Sequence, residues 1–403
     1  VKGKKTMPFV GNSAVAAPTM VMPNPCCSLL IEIERHEEAE EFIASLPKDA
    51  QNRPAILLSR LRICHAKMGP SEALEFAEQS IGFCPADQFL ALEIAHLLQL
   101  AGRNHDAISI LTPFATDAVA APVAGKLARL YLATGQPDEA SRLLGPLADA
   151  KATNADMQSL LVQAYEEDGQ QTSALDAVEK GLQRFQGDPN LLAQYWRLLS
   201  GLQGREAAIQ ACYCAQTDWP GSVQVQIKAL QFLSRMEDED GCKNASERIE
   251  HADPDNQQGV VARANYLLQQ KDGIGARNLL LAFREKNGPS STIDRTLAVA
   301  CHHLGLNDEA ISLIEPLACG SESNAYAVIE LVNFRQAVCD YDGARAALDS
   351  IPVRNRDDEK RRRDRLADMA LGRADVESAL ELAQATVLAT PDDVYGWSRK
   401  AQA

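Results

Sequence analysis

The sequence predicts an all-α solenoid, a stack of about ten helix-turn-helix repeats. Residues 121–149 read as two short amphipathic helices, because apolar residues recur three and four positions apart on both sides of Gly135-Gln136-Pro137. Glycine stands where the first helix should end, and proline stands where the second should begin. The same unit returns along the chain with a nearly constant period, which predicts a stack of equivalent units.

A small residue in the second helix of each unit marks this period. By subtraction, successive members are 34 residues apart except for one step of 33 and a last step of 35. The series is Ala39, Ala73, Ala107, Ala140, Ala174, Ala208, Cys242, Ala276, Ala310, Ala344 and Ala379. Neither helix of a unit can bury its apolar stripe alone, so each unit needs neighbours and the core should form a ribbon between them.

The repeating unit resembles the tetratricopeptide repeat, a helix-turn-helix of 34 residues. Its first-helix signature is matched by Leu127-Ala128-x-x-Tyr131 and Leu161-Val162-x-x-Tyr165, and its second by Ala140-x-x-x-Leu144 and Ala310-x-x-x-Ile314. The family's first-helix tryptophan is absent from the internal repeats. The resemblance covers the chain from about Arg53 to the C-terminus and implies a right-handed superhelical solenoid.

The domain organisation follows from this register. We expect a flexible N-terminal leader at residues 1–27, a capping half-repeat at 28–52 and ten repeats at 53–393. A signal peptide is the alternative interpretation of the leader, although Gly11 and Pro18 interrupt its weakly apolar stretch. Trp397 falls 18 residues after Ala379, where the family keeps its tryptophan. Residues 394–403 should therefore begin a further first helix or form a short C-terminal cap.

Composition excludes several classes of partner. The chain has 40 Lys and Arg against 55 Asp and Glu, a net charge of −15, which argues against nucleic acid. No apolar run reaches the ~18 residues of a membrane span, so no membrane insertion is expected. The ten cysteines include no C-x-x-C pair. Cys64, Cys242 and Cys301 occupy packing positions, which predicts free thiols and a reducing, cytoplasmic location.

Chemistry-bearing motifs are scarce in this sequence. Cys26-Cys27 and Cys212-x-Cys214 could bind metal or sense oxidants, but Cys212 stands at a core-packing position. Cys301-His302-His303 is a poor chelate, because adjacent residues on a helix point about 100° apart. No signature of a nucleophile elbow, a phosphate-binding loop, a zinc protease or a dinucleotide site is present. We therefore predict no catalytic residue, no metal site and no cofactor, and a protein that is not an enzyme.

One row of polar residues is the sharpest functional feature. Eleven positions before the marker residue, the row reads Arg62, His96, Arg129, Gln163, Arg197, Gln231, Asn265, Val299, Asn333 and Asp368. In tetratricopeptide repeats this position faces the concave groove, so the resemblance implies a polar groove wall. The eight predicted binding residues are this groove row without Val299 and Asp368. Arginine suits carboxylates and side-chain amides suit an extended backbone; the alternative is a solvated wall with no dedicated ligand.

A second polar feature is the basic run at positions 361–363 with Arg365. One interpretation is a contact for an acidic partner. The other is a helix face whose bases pair with the surrounding acids, which are Asp357, Asp358, Glu359, Asp364 and Asp368. The acids are as dense as the bases, which favours the second interpretation.

The predicted function is a non-catalytic scaffold or adaptor that binds a protein or peptide segment in the concave groove. A more specific version of this prediction is that the bound segment is acidic. Two alternatives stay open. One is the targeting or substrate-presenting arm of a larger enzyme, such as a sulfotransferase or a glycosyltransferase, that continues beyond residue 403. The other is a self-assembling scaffold, a homo-oligomer formed through its end repeats.

Overall fold

The computed structural model describes residues 25–33, 35–80, 87–115, 121–318, 325–349, 356–373, 375–389 and 394–402. Across these residues it contains 24 α-helices, one short 3-10 turn and no strand, so the all-α prediction is confirmed. Contacts divide the chain into two compact units, 1–130 and 131–403. Most of the predicted leader, residues 1–24, lies outside the described part of the chain.

The first unit begins with three short helices and continues with helix pairs. The helices are α1 (Pro25–Glu32), α2 (His36–Ser45), α3 (Lys48–Gln51), α4 (Pro54–Met68), α5 (Pro70–Ser80), α6 (Gln88–Leu100) and α7 (Asn104–Leu111), and α8 (Ala121–Ala133) crosses into the second unit. Helices α1 and α2 pack against α4. Cys27, Ala39 and Ile43 are buried there with Ile56 and Ile63.

The second unit is a longer series of helix pairs. Its helices are α9 (Pro137–Asp149), α10 (Ala155–Glu167), α11 (Gln171–Arg184), α12 (Pro189–Leu202), α13 (Arg205–Asp218), α14 (Val223–Arg235), α15 (Glu239–Ala252), α16 (Gln257–Gln269), α17 (Gly273–Asn287), α18 (Ser291–His303), α19 (Asn307–Ala318), α20 (Ala325–Ala337), α21 (Tyr341–Asp349), α22 (Arg356–Gly372), α23 (Val376–Ala389) and α24 (Val394–Gln402). Each helix packs against the next, and α24 contacts both α22 and α23.

The marker residues lie in the core between packed helices. All eleven are buried, with Cys242 the most exposed at 2%. A small side chain is needed here because helix axes can approach only as far as the side chains between them allow. Larger residues fill the spaces on either side of the close contacts. Trp196 is fully buried and lies 5.6 Å from the ring of Phe232 in the next first helix.

In seven of the helix pairs, the turn has one left-handed residue five positions before the marker. It is glycine in four repeats, with φ between 70° and 76°, at Gly102, Gly135, Gly169 and Gly305. Three other repeats keep the same conformation without glycine, at Glu237 (φ 55°), Lys271 (φ 61°) and Cys339 (φ 62°). The backbone shape of the turn is therefore retained even where the residue type is unfavourable for it.

The first helices of successive pairs contact one another. In the first unit α4 contacts α6, and in the second unit such contacts link α10, α12, α14, α16, α18 and α20 in sequence. In the second unit, each second helix from α11 to α23 instead contacts its own first helix and the first helix of the next pair. The first helices thus converge, and they form the inner side of the stack in each unit.

The left-handed turns predict a stability change that can be measured. Lys271 is exposed and forms no ion pair within the described residues, so Lys271→Gly removes only the Cβ strain. The free energy of unfolding in urea should rise by about 0.5–1 kcal/mol. Gly305→Ala should lower it by about 1 kcal/mol, because φ there is 76° and an added Cβ would meet no other atom within 4 Å. A loss of stability in Lys271→Gly would contradict this account of the turn.

Candidate partner-binding groove

The groove row lies on the first helices, and most of its side chains are exposed. Arg62, His96 and Arg129 are exposed in the first unit, and Gln163, Arg197, Gln231 and Asn265 are exposed in the second. Val299, Asn333 and Asp368 are half-buried. Seven of the eight predicted binding residues are therefore accessible, whereas Asn333 is only partly so. Their role in binding stays a prediction.

Two arginines of the row are held by glutamates of a neighbouring first helix. In the first unit, Nε of Arg62 lies 2.9 Å from Oε2 of Glu93. In the second unit, Nη2 of Arg197 lies 2.5 Å from Oε2 of Glu166. Both glutamate side chains are largely buried, at 15% and 16% exposure. Each pair thus links successive repeats and also reduces the positive charge that the arginine offers to a ligand.

Two adjoining cavities lie along the row in the second unit. The first, of about 490 Å³, is bordered by Arg197, Lys228 and Gln231 among others. The second, of about 580 Å³, lies beside Gln231, Asn265 and Val299. Gln231 and Arg235 line both cavities. The two therefore form one continuous groove across α12, α14, α16 and α18, and it brings Arg197, Gln231 and Asn265 of the predicted row together.

Two basic residues of this groove were missed by the sequence analysis. Lys228 lies three positions before Gln231 and Arg235 lies four after it, so all three share one face of α14. Lys228 is half-buried and Arg235 is exposed. Neither forms an ion pair or a hydrogen bond with any residue that the structure describes. Their helical spacing from Gln231 could have predicted that Lys228 and Arg235 share its face. Only the packing of the described residues shows that no acid is paired with either of them.

Side-chain amides supply the other polar groups of the groove. Gln194 donates from Nε2 to the backbone oxygen of Ser159 at 2.9 Å. Its Oε1 is buried and has no hydrogen-bond partner in the described structure. Further along the same face, Nε2 of Gln224 donates to Oε1 of Gln258 at 2.6 Å. The groove therefore contains both fixed amide contacts and an unused acceptor.

The C-terminal part of the row has different surroundings. Arg295 forms a bidentate ion pair with Glu330, with Nε 2.9 Å from both carboxylate oxygens. In the basic run, Arg362 pairs with the carboxylate of Asp349, and Arg363 donates to the backbone oxygen of Ala385 at 3.3 Å. Arg362 is therefore paired, as the second interpretation expected, although Asp349 is not one of the acids named for it. The side chain of Arg361 lies outside the described set.

The cysteines are packing residues wherever their side chains are described as buried. Cys64, Cys212, Cys242 and Cys301 are buried free thiols, whereas Cys214 is exposed. Burial raises the pKa of Cys242 to about 11, and it raises the pKa of Cys212 further still. These thiols are protonated at neutral pH and are poor nucleophiles and ligands. The prediction that Cys64, Cys212, Cys242 and Cys301 pack in the core is confirmed.

Among the described residues, no group of three or more His, Cys, Asp or Glu side chains is placed to hold a metal ion. In the same part of the chain, no helix combines the length and the apolar character needed to cross a membrane.

The Arg197–Glu166 pair predicts a pH-dependent loss of stability. Burial raises the pKa of Glu166, and the guanidinium of Arg197 opposes that rise. Arg197→Ala should therefore raise the pKa further, so that the folded state binds a proton which the unfolded state has already released. The free energy of unfolding should fall at neutral pH, and the deficit should shrink as the pH falls until Glu166 is protonated in both states.

Urea unfolding between pH 4 and pH 8, with NMR titration of the Glu166 carboxyl, measures both effects. Arg235→Ala is the matched control, since Arg235 lies in the same groove and is unpaired; its effect should not vary with pH. A pH-independent deficit for Arg197→Ala would show that the ion pair does not control the Glu166 carboxyl.

Comparison with known proteins gives a family for the repeat. Residues 98–164 match the model of the tetratricopeptide repeat. No curated protein matches the chain. Similar solved structures include yeast Tom70, at 11% identity and a TM-score of 0.47, covering 94% of this chain and 95% of that one. The Cut9–Hcn1 hetero-tetramer of the APC/C is similar at 9% identity and a TM-score of 0.41, covering 93% of this chain and 94% of that one.

A tetratricopeptide repeat protein of Parabacteroides merdae is also similar, at 11% identity and a TM-score of 0.43, covering 62% of this chain and 98% of that one. The family match includes the marker residues Ala107 and Ala140. The match identifies residues 98–164 as tetratricopeptide repeats, and the stacked helix pairs of the described residues continue the same phase.

Proposed function

We propose that this protein is a non-catalytic interaction scaffold that binds an extended segment of a partner protein along its first-helix face. The tetratricopeptide fold suggests a protein–protein interaction scaffold in general terms. The observation that carries the specific proposal is the continuous groove of the second unit, in which Gln231 and Arg235 border both cavities. A groove that crosses several repeats can hold an extended peptide segment that contacts those repeats in succession.

The groove offers the hydrogen-bonding groups that an extended backbone needs. Such a backbone presents a donor and an acceptor at each residue, and side-chain amides can satisfy both. Gln231 and Asn265 are exposed for this purpose. Because the helices that carry these amides are packed on both sides, little ordering of the protein is required on binding.

The charges of the groove favour acidic residues in the bound segment. Lys228 and Arg235 have no acidic partner in the described structure and flank the exposed amide of Gln231. Since a guanidinium matches a carboxylate in shape and charge, acidic side chains on the ligand would both steer and stabilise the complex. The net charge of −15 favours a protein over nucleic acid for this role.

We place this interaction in the cytoplasm. Cys64, Cys212, Cys214, Cys242, Cys301 and Cys339 are free thiols, which is typical of a reducing compartment.

Selection of peptides on the full chain tests this function. A random library of 12-residue peptides should yield sequences enriched in Asp and Glu. The double variant Lys228→Ala/Arg235→Ala should bind the selected peptide about tenfold or more weakly, because two unpaired cations of the groove are lost.

Lys243→Ala/Arg345→Ala is the control, since both residues are exposed on second helices and the charge change is the same. Its affinity for the selected peptide should be unchanged. Equal losses in the two double variants, or selection of no peptide, would refute the groove as the binding site. A mass that rises with protein concentration while no peptide is selected would favour the self-assembling scaffold instead.

A further inference from the structure

Basic side chains from three first helices meet in the first unit. They are Arg62 and His65 on α4, His96 on α6, and Lys126 and Arg129 on α8, and we call them the N-terminal cation cluster. The ring centroids of His65 and His96 are 6.2 Å apart at an interplanar angle of 65°. Lys126 reaches α6, where its Nζ donates to Oε1 of Gln99 at 2.5 Å. The cluster is thus a convergence of side chains across successive repeats.

The positive charge of this cluster is not balanced by the described residues. Glu93 is the acid that lies among these bases, and its carboxylate is taken by Arg62 at 2.9 Å. Lys126 and Arg129 form no ion pair with any described residue. Two fixed positive charges therefore remain beside two imidazoles, in a chain whose net charge is −15.

The electrostatic effects within the cluster agree with this geometry. Partial burial lowers the pKa of Lys126, and the neighbouring Arg129 lowers it further. Partial burial also lowers the pKa of His96, with smaller effects of the same sign from Lys126 and His65 and an opposing effect from Glu93. These bases repel one another, and a bound anion would relieve that repulsion.

Three acids on the helices packed beside α6 are engaged elsewhere. Arg103 is paired with Glu78 of α5 at 2.9 Å and with Asp106 of α7 at 2.6 Å. Glu75 of α5 accepts a hydrogen bond from Gln79. The charged and titratable groups that act on the imidazole of His96 are Lys126, His65 and the already paired Glu93.

We propose that the N-terminal cation cluster binds the phosphoryl group of a phosphorylated side chain in the partner segment. A phosphoryl group carries a charge of about −1.5 to −2 and three acceptor oxygens, which matches the two uncompensated charges of Lys126 and Arg129. A single carboxylate has one charge and would leave one of these cations unmatched. The imidazole N–H groups of His65 and His96 supply further donors to an oxyanion.

This inference rests on the proposed function, in that it assigns a ligand group to the first-helix face. It can nevertheless fail alone, because the cluster lies in the first unit and the groove of the peptide test lies in the second. If the Lys228 and Arg235 variants weaken peptide binding as predicted but the chain shows no preference for the phosphoserine pool, this inference fails. The proposed function then still stands.

The test compares three labelled pools of 12-residue peptides that differ only at a fixed central position: phosphoserine, serine or glutamate. The full chain should bind the phosphoserine pool about tenfold or more tightly than either other pool. Lys126→Gln/Arg129→Gln should abolish that preference. Lys48→Gln/Arg53→Gln, which removes two exposed and unpaired cations of the same unit, should leave it unchanged.

A pH series separates a binding role of the imidazoles from a structural one. Affinity for the phosphoserine pool should rise as the pH falls from 8 to 6.5, because anion binding favours protonated imidazole while the phosphate stays mostly dianionic. His65→Gln/His96→Gln should flatten this rise without changing the circular dichroism spectrum. Equal binding of the phosphoserine and serine pools would overturn the proposal, and equal binding of the phosphoserine and glutamate pools would show a carboxylate site instead.

Discussion

Close approach of helices at one small residue per repeat is the constraint on which this structure depends. The marker residues are fully buried in both units, and a longer side chain at any of them would separate the helices that it touches. The left-handed turn five positions earlier serves the same contact, because it sets the direction in which the second helix leaves. Glu237, Lys271 and Cys339 show that this direction is kept even at a conformational cost.

The same constraint creates the surface available for function. Because the first helices of successive repeats contact one another, one turn of each first helix lies on the inner side of the stack. The residue there can change from Arg62 to His96 to Gln231 without disturbing the core, since its side chain points to solvent. Binding chemistry can thus vary along the stack while the helix contacts stay the same. In the first unit this surface collects cations, and in the second it collects amides with two unpaired cations.

The fold was predictable from the sequence to the extent that it is periodic. The phase of the small residues predicted the helix pairs and their buried contacts, and seven of the eight predicted binding residues lie at exposed first-helix positions. Positions where side chains pair across repeats were not predictable. Glu93 and Glu166 each lie 31 residues from the arginine that they hold, and no local pattern marks such a pair.

The turns and the groove were also only partly predictable from the sequence. Three left-handed turn residues were missed because their residue types do not favour that conformation. Lys228 and Arg235 were missed because a single position per repeat was followed, whereas a helix face also includes the residues one turn away. Asn333 is half-buried, and its surroundings depend on packing that the repeat register does not specify.

The most direct measurement is photo-crosslinking from the groove. The photoreactive residue benzoylphenylalanine would replace Gln231 in one variant and Lys243 in another, and each would be irradiated with the selected acidic peptide. The account predicts a crosslinked product from position 231, on the inner face of α14, and none from position 243 on the second helix α15. A product from position 243 alone would place the partner on the opposite face and contradict the central claim.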